Sequence, residues 1–180
     1  MHPQTIYPWT EVFFCVRDLH ISRVKSMKIK KFGIAANIEK EKIADHVRSL
    51  KKWLEERGAK VFLETEISGK ILSDGGYSWS ELARKAEVAV VLGGDGTILR
   101  SARYLAVHRV PILGINMGGL GYLTEVNLNE IHSTLELILK GKFVTEKRMM
   151  LDVSVQHGKT VAGIGSVLND VLMNRGDFSR

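Results

Sequence analysis

The hydrophobic pattern alternates between two kinds of stretch from about residue 29 onward. Phe32 to Ile38 is a short apolar run suited to a buried strand. Ile43, Val47, Leu50 and Leu54 follow at spacings of four, three and four, with charges between them, which predicts a helix with one buried face. Gly58 stands where a helix-ending glycine belongs. Lys60 to Thr65 reads as a second strand, and 66–79, rich in Gly and Ser, as a loop. Ser80 is placed to cap a short helix through Ala86. Val88 to Leu92 is continuously apolar, as strands buried on both faces of a parallel sheet are. A helix carrying Ile98, Ala102, Leu105 and Ala106 comes next, then a strand from Val110 to Ile115. Asn127 with Glu130 resembles a capping box, opening a helix with Ile131, Leu135, Ile138 and Leu139 that stops near Gly141.

Past about 145 the rhythm changes. Leu151, Val153 and Val155 alternate with Asp152, Ser154 and Gln156, a strand with one wet face. Gly163-Ile164-Gly165 then separates it from a further candidate strand, Val167 to Met173. The fold class read from this is α/β: a doubly wound, mostly parallel sheet followed by the start of an all-β domain. The expected organisation is an extension over 1–26, an α/β nucleotide-binding domain over 27–141, and a linker with an incomplete β-rich domain over 142–180. Residues 1–26 mix prolines, aromatics and basic residues without period, and Met27 reads as the natural start. An arm that packs on a partner chain is the other reading of 1–26.

Composition changes little in this picture. The 180 residues are 44% hydrophobic and 26% charged, ordinary for a globular protein. One cysteine, Cys15, excludes a disulfide framework and any multi-cysteine zinc site, and a reducing, cytoplasmic setting is expected. No apolar run reaches membrane-spanning length, so no membrane partner is expected. The net charge of +6 suggests nucleic acid until it is located: residues 1–31 hold +4 of it, leaving +2 for the rest. A phosphate-backbone surface needs its cations spread over the folded domain, so nucleic acid is not expected as a partner.

The chemistry lies in two glycine turns, Gly93-Gly94-Asp95-Gly96-Thr97 and Asn116-Met117-Gly118-Gly119-Leu120-Gly121. Both follow the carboxyl ends of buried strands, where open α/β sheets bind ligands. Glycines there let backbone N–H groups approach an anion, and the helix starting near Thr97 adds its positive end. Asp95 is the odd member. A carboxylate in an anion-binding turn is costly unless it holds a metal or accepts a proton from an attacking hydroxyl, and that combination points to phosphoryl transfer. The alternative is a plain strand–helix turn with Asp95 as N-cap. No P-loop, strict dinucleotide fingerprint, zinc-protease motif or protein-kinase motif occurs.

Taken in order, Gly93 to Thr97, then Gly114-Ile115-Asn116 with Gly118 to Thr124, then Leu168-Asn169-Asp170-Val171, resemble the three signatures of the NAD kinase family. The first motif is shared with diacylglycerol and sphingosine kinases; the other two narrow the choice. Glu146 to Leu151 is similar to that family's passage into its β-rich domain, and Tyr122 stands where many members have Phe. The resemblance implies transfer of a phosphoryl group from ATP, or from inorganic polyphosphate, to the 2′-hydroxyl of the adenosine ribose of NAD, giving NADP, with a divalent metal such as Mg²⁺. It implies Asp95 as proton acceptor, Gly94, Gly96 and Thr97 around the phosphates, and Arg100 as a nucleotide contact. Asn169 and Asp170 would hydrogen-bond the dinucleotide, with Arg180 a further contact. A homo-oligomer is expected of the full-length protein. The family's β-rich domain continues beyond its third motif, so this chain alone is expected to be weakly stable or aggregation-prone, with little kinase activity. A lipid kinase of diacylglycerol type and a non-catalytic nucleotide-binding fragment are the remaining alternatives.

Overall fold

The computed structural model describes residues 10–14, 28–71, 75–118, 121–124 and 126–172. Its centre is a sheet of strands β2 (Lys31–Ala36), β3 (Lys60–Leu63), β4 (Val88–Gly93) and β5 (Ile112–Asn116), all parallel, in the order β3-β2-β4-β5. A two-residue strand, β6 (Val126–Asn127), pairs with β5 in the same sense.

Alternation along β4 explains why the strand is apolar throughout. Val88, Val90 and Leu92 enter one core, while Ala89 and Val91 enter a second on the opposite face. Helix α1 (Ile43–Glu55) covers the first core with Ile43, Val47, Leu50 and Leu54, and pairs Asp45 with Arg48 and Lys51 with Glu55 on its wet side. It ends where the spacing predicts, at Gly58 with φ 77°. Helices α2 (Thr65–Ile71) and α5 (Ile131–Leu139) join α1 on that face. Helices α3 (Trp79–Lys85) and α4 (Asp95–Leu105) cover the other. Helices on both faces of a parallel sheet make the fold doubly wound.

Three local expectations are corrected. The stretch 66–79 is not all loop, because α2 occupies its first half: Ile67 enters the core and Ser68 is buried, and Gly69 is tolerated within the turn. Ser78, not Ser80, caps α3. Its hydroxyl accepts the Glu81 N–H while the Glu81 carboxylate accepts the Ser78 N–H at 2.9 Å. The Ser78 hydroxyl, donating to the same carboxylate at 2.7 Å, and the Ser78 N–H hold the Glu81 carboxyl below the usual range. Of the strand expected at 167–173, residues 168–172 form none and Met173 lies outside the described residues; the strand here is β9 (Thr160–Val167), which pairs antiparallel with β8 (Leu151–His157) across a turn at Gly158. Gly163 and Gly165 lie inside β9, paired with Ser154 and Val153, and flank a one-residue bulge in β9 rather than breaking the strand.

Two segments outside the expected 27–141 domain join the central sheet. Strand β1 (Thr10–Phe14) runs parallel to β5, and β7 (Val144–Arg148) runs antiparallel to β1. Met27 lies outside the described residues. Among the described residues, no helix is long and apolar enough to cross a membrane.

Candidate active site

Strands β4 and β5 end side by side, with Gly93 opposite Asn116. This register sets the two glycine turns against each other. The Met117 N–H donates to the Gly93 carbonyl at 3.1 Å, and the Asn116 side chain accepts the Gly118 N–H at 2.9 Å. A side chain at Gly93 would collide with Thr97, its Cβ falling 2.3 Å from Oγ1, so only glycine lets α4 start so tightly against the strand.

Asp95 does not cap its own helix. Gly94 takes the capping position, and Asp95 is the first residue of α4. Its carboxylate crosses to the second turn instead. Oδ2 accepts the N–H of Tyr122 at 2.8 Å, and Oδ1 accepts that of Leu123 at 2.9 Å. Charge-assisted bonds of this kind fix a carboxylate's direction. They require Gly121: a Cβ there would lie 2.7 Å from Asp95 Oδ1 and 2.1 Å from Thr124 Oγ1.

Two crevices flank the start of α4. One, of about 530 Å³, is lined by Gly94, Gly96, Thr97 and Arg100 from the turn and helix, and by Asn37, Lys40, Glu66 and Trp79 from neighbouring elements. Space is open over Gly94 and Gly96, where an added Cβ meets nothing within 4 Å. Arg100 is ion-paired with Glu66 and lies over the Trp79 ring, and that bond with Glu66 raises the guanidinium's pKa. Behind them Glu64 is 4% exposed, and burial pushes its carboxyl above the usual range, partly offset by the Glu66 N–H it accepts at 3.0 Å.

The second crevice, of about 450 Å³, is lined by Asp95, Leu99, Tyr122, Leu123, Arg148, Met149, Leu168 and Asn169. Leu168 packs against the second core just past β9, which brings Asn169 to the same wall as Asp95. Asp170 is exposed and does not line this crevice. Arg180 lies outside the described residues.

The structure therefore divides the expected residues between two adjoining spaces, Gly94, Gly96, Thr97 and Arg100 in one and Asp95 with Asn169 in the other. Sequence reading missed Asn37, Lys40, Glu66 and Trp79. The signal for the first two was their place just after the carboxyl end of β2, where ligands bind in such sheets. Nothing local marked Glu66 and Trp79, which come from a stretch read as loop.

Comparison with known proteins fits this geometry. Residues 32–143 match the family model described as the ATP-NAD kinase N-terminal domain. The chain is 39% identical over 158 residues to an NAD kinase of Alcanivorax borkumensis, covering 87% of this chain and 53% of that one. It is 39% identical over 153 residues to an NAD kinase of a Thermoanaerobacter species, covering 84% and 54%. The chain thus spans about half the length of the curated relatives it matches. Among solved structures, yeast NADH kinase complexed with NADH superposes with a TM-score of 0.65 at 13% identity, over 90% of this chain and 53% of that one, a likeness of fold. With the family model matching well over half of its residues, the chain belongs to the NAD kinase family.

Proposed function

We propose that the protein transfers the γ-phosphoryl of ATP, or a terminal phosphoryl of inorganic polyphosphate, to the 2′-hydroxyl of the adenosine ribose of NAD, giving NADP. The observation that carries this reading is the aimed Asp95 carboxylate, held by two amides on the wall of one crevice while its neighbours Gly94, Gly96 and Thr97 line the next. The names of the curated relatives support the dinucleotide as acceptor.

In this reading the phosphates lie against the turn, where backbone amides and the positive end of α4 neutralise charge and Lys40 adds a cation. Thr97 and Arg100 shape that space, with Arg100 steadied by Glu66. The acceptor ribose lies in the second crevice, where Asn169 offers both a donor and an acceptor to its hydroxyls. Asp170 and Arg180 are proposed as further contacts to the dinucleotide. Asp95 takes the proton of the 2′-hydroxyl as that oxygen attacks phosphorus. Because the reaction is mostly positioning and charge neutralisation, the share proposed for these groups is to hold the donor and orient the acceptor.

No cluster of three or more His, Cys, Asp or Glu among the described residues is disposed to cage a metal. The first crevice suits a Mg²⁺ carried in on the donor's phosphates, with Glu39 on its wall to hold the metal's waters. Such an ion would supply charge neutralisation on the transferred group. A homo-oligomer and a cytoplasmic location, which suits a single-cysteine chain, complete the proposal.

The test is an acceptor panel. The polypeptide as its gene encodes it is incubated with Mg-ATP or polyphosphate and either NAD or diacylglycerol, and the product is identified by NMR. A phosphate on the 2′-position of NAD is the expected result. Phosphorylated lipid without NADP would overturn the reading.

A further inference from the structure

Thr124 is 5% exposed, yet among the described residues its hydroxyl oxygen has no hydrogen-bond partner. A buried hydroxyl left unmatched is costly. Valine would fill nearly the same volume without that cost, so packing alone does not account for threonine here.

The surroundings point to another role. The position of a Cβ on Gly121 is 2.1 Å from Thr124 Oγ1 and 2.7 Å from Asp95 Oδ1. Both oxygens crowd the same empty Cβ position of Gly121, which puts them within about 5 Å of each other with no side chain between them. The same segment already gives the carboxylate the N–H groups of Tyr122 and Leu123. Thr124 is the next donor in that row, and a hydroxyl has a proton to give.

We infer that Thr124 is a positioning residue for Asp95, its hydroxyl donating to Oδ1 as the carboxylate turns toward the acceptor. This rests on the reading of Asp95 as proton acceptor. In that step the acceptor's O–H proton passes to the carboxylate, its oxygen forms the new bond to phosphorus, and the bond from phosphorus to the donor's leaving oxygen breaks. Thr124 exchanges no proton. It holds the receiving lone pair in line while one amide contact loosens.

The test places Thr124→Val and Thr124→Ser beside Asp95→Asn in the polypeptide as its gene encodes it. Thr124→Val is expected to lower kcat for NADP formation about 10- to 100-fold, with KM for NAD changed less than about twofold. Its melting temperature should stay level or rise, because an unmatched polar group has gone. Thr124→Ser, which keeps the hydroxyl, should retain most of the rate. Wild-type kcat in Thr124→Val overturns the inference. So does a loss of rate in both variants that follows a loss of stability, which is a packing effect. If Asp95→Asn turns over like wild type, the underlying reading fails and takes this inference with it. An inactive Asp95→Asn beside a fully active Thr124→Val removes the inference alone.

Discussion

At the scale of single residues, the site depends on what Gly121 lacks. Alanine there drives a methyl group into Thr124 Oγ1 and Asp95 Oδ1, so one of those side chains must turn away or the turn must shift. Gly121→Ala should cost about 1–3 kcal/mol in urea unfolding, as overpacking of a tight site does. Glu64 offers a second test. Burial raises its pKa in the folded protein, so the ionised carboxylate opposes folding. Its contribution is most favourable below the ordinary carboxylate pKa and is lost as pH rises through the raised folded value. Glu64→Gln should therefore match wild type in urea midpoint near pH 4 and exceed it at pH 7; equal midpoints at both would contradict the assignment. Glycines and the odd carboxylate in the first turn were legible in the sequence. The partners of Asp95 were not, since they are backbone amides 27 and 28 residues away, and amides look alike in any sequence.

At the scale of elements, periodicity carried most of the fold. The spacing of Ile43, Val47, Leu50 and Leu54 marks the buried face of α1, and the unbroken apolar run of Val88 to Leu92 marks a strand buried on both sides. Where composition replaced periodicity, the reading slipped. A glycine inside α2 and the pair inside β9 resemble breaks by type, but one lies in a helix turn and the others flank a bulge in the strand itself. The cap of α3 was displaced by two residues, because Ser78 and Ser80 both qualify by type and only Ser78 has Glu81 three positions on. Ser78→Ala should lower stability by roughly 1 kcal/mol in urea titration, whereas Ser80→Ala should change little. Equal effects of the two would contradict the cap as described.

At the scale of the whole molecule, pairing between distant segments governs what local pattern cannot. Strand β1 sits between β5 and β7, linking residues more than 90 apart, and no hydrophobic period announces that placement. The β8–β9 hairpin leaves Leu151, Val155 and Val161 exposed, with Met149 and Leu172 beside it. Apolar surface of this kind favours association, so Val161→Lys should reduce concentration-dependent self-association of the 180-residue chain in sedimentation velocity. The largest consequence of the architecture is the site itself, assembled where two parallel strands end together and a later strand delivers Asn169. At that site Asp95 is proposed to receive the proton of the acceptor hydroxyl. The most direct measurement is the turnover of Asp95→Asn with NAD and Mg-ATP, set against its NAD dissociation constant. The account predicts kcat lower by about 10²- to 10⁴-fold with the dissociation constant nearly unchanged. Turnover at the wild-type rate would contradict it.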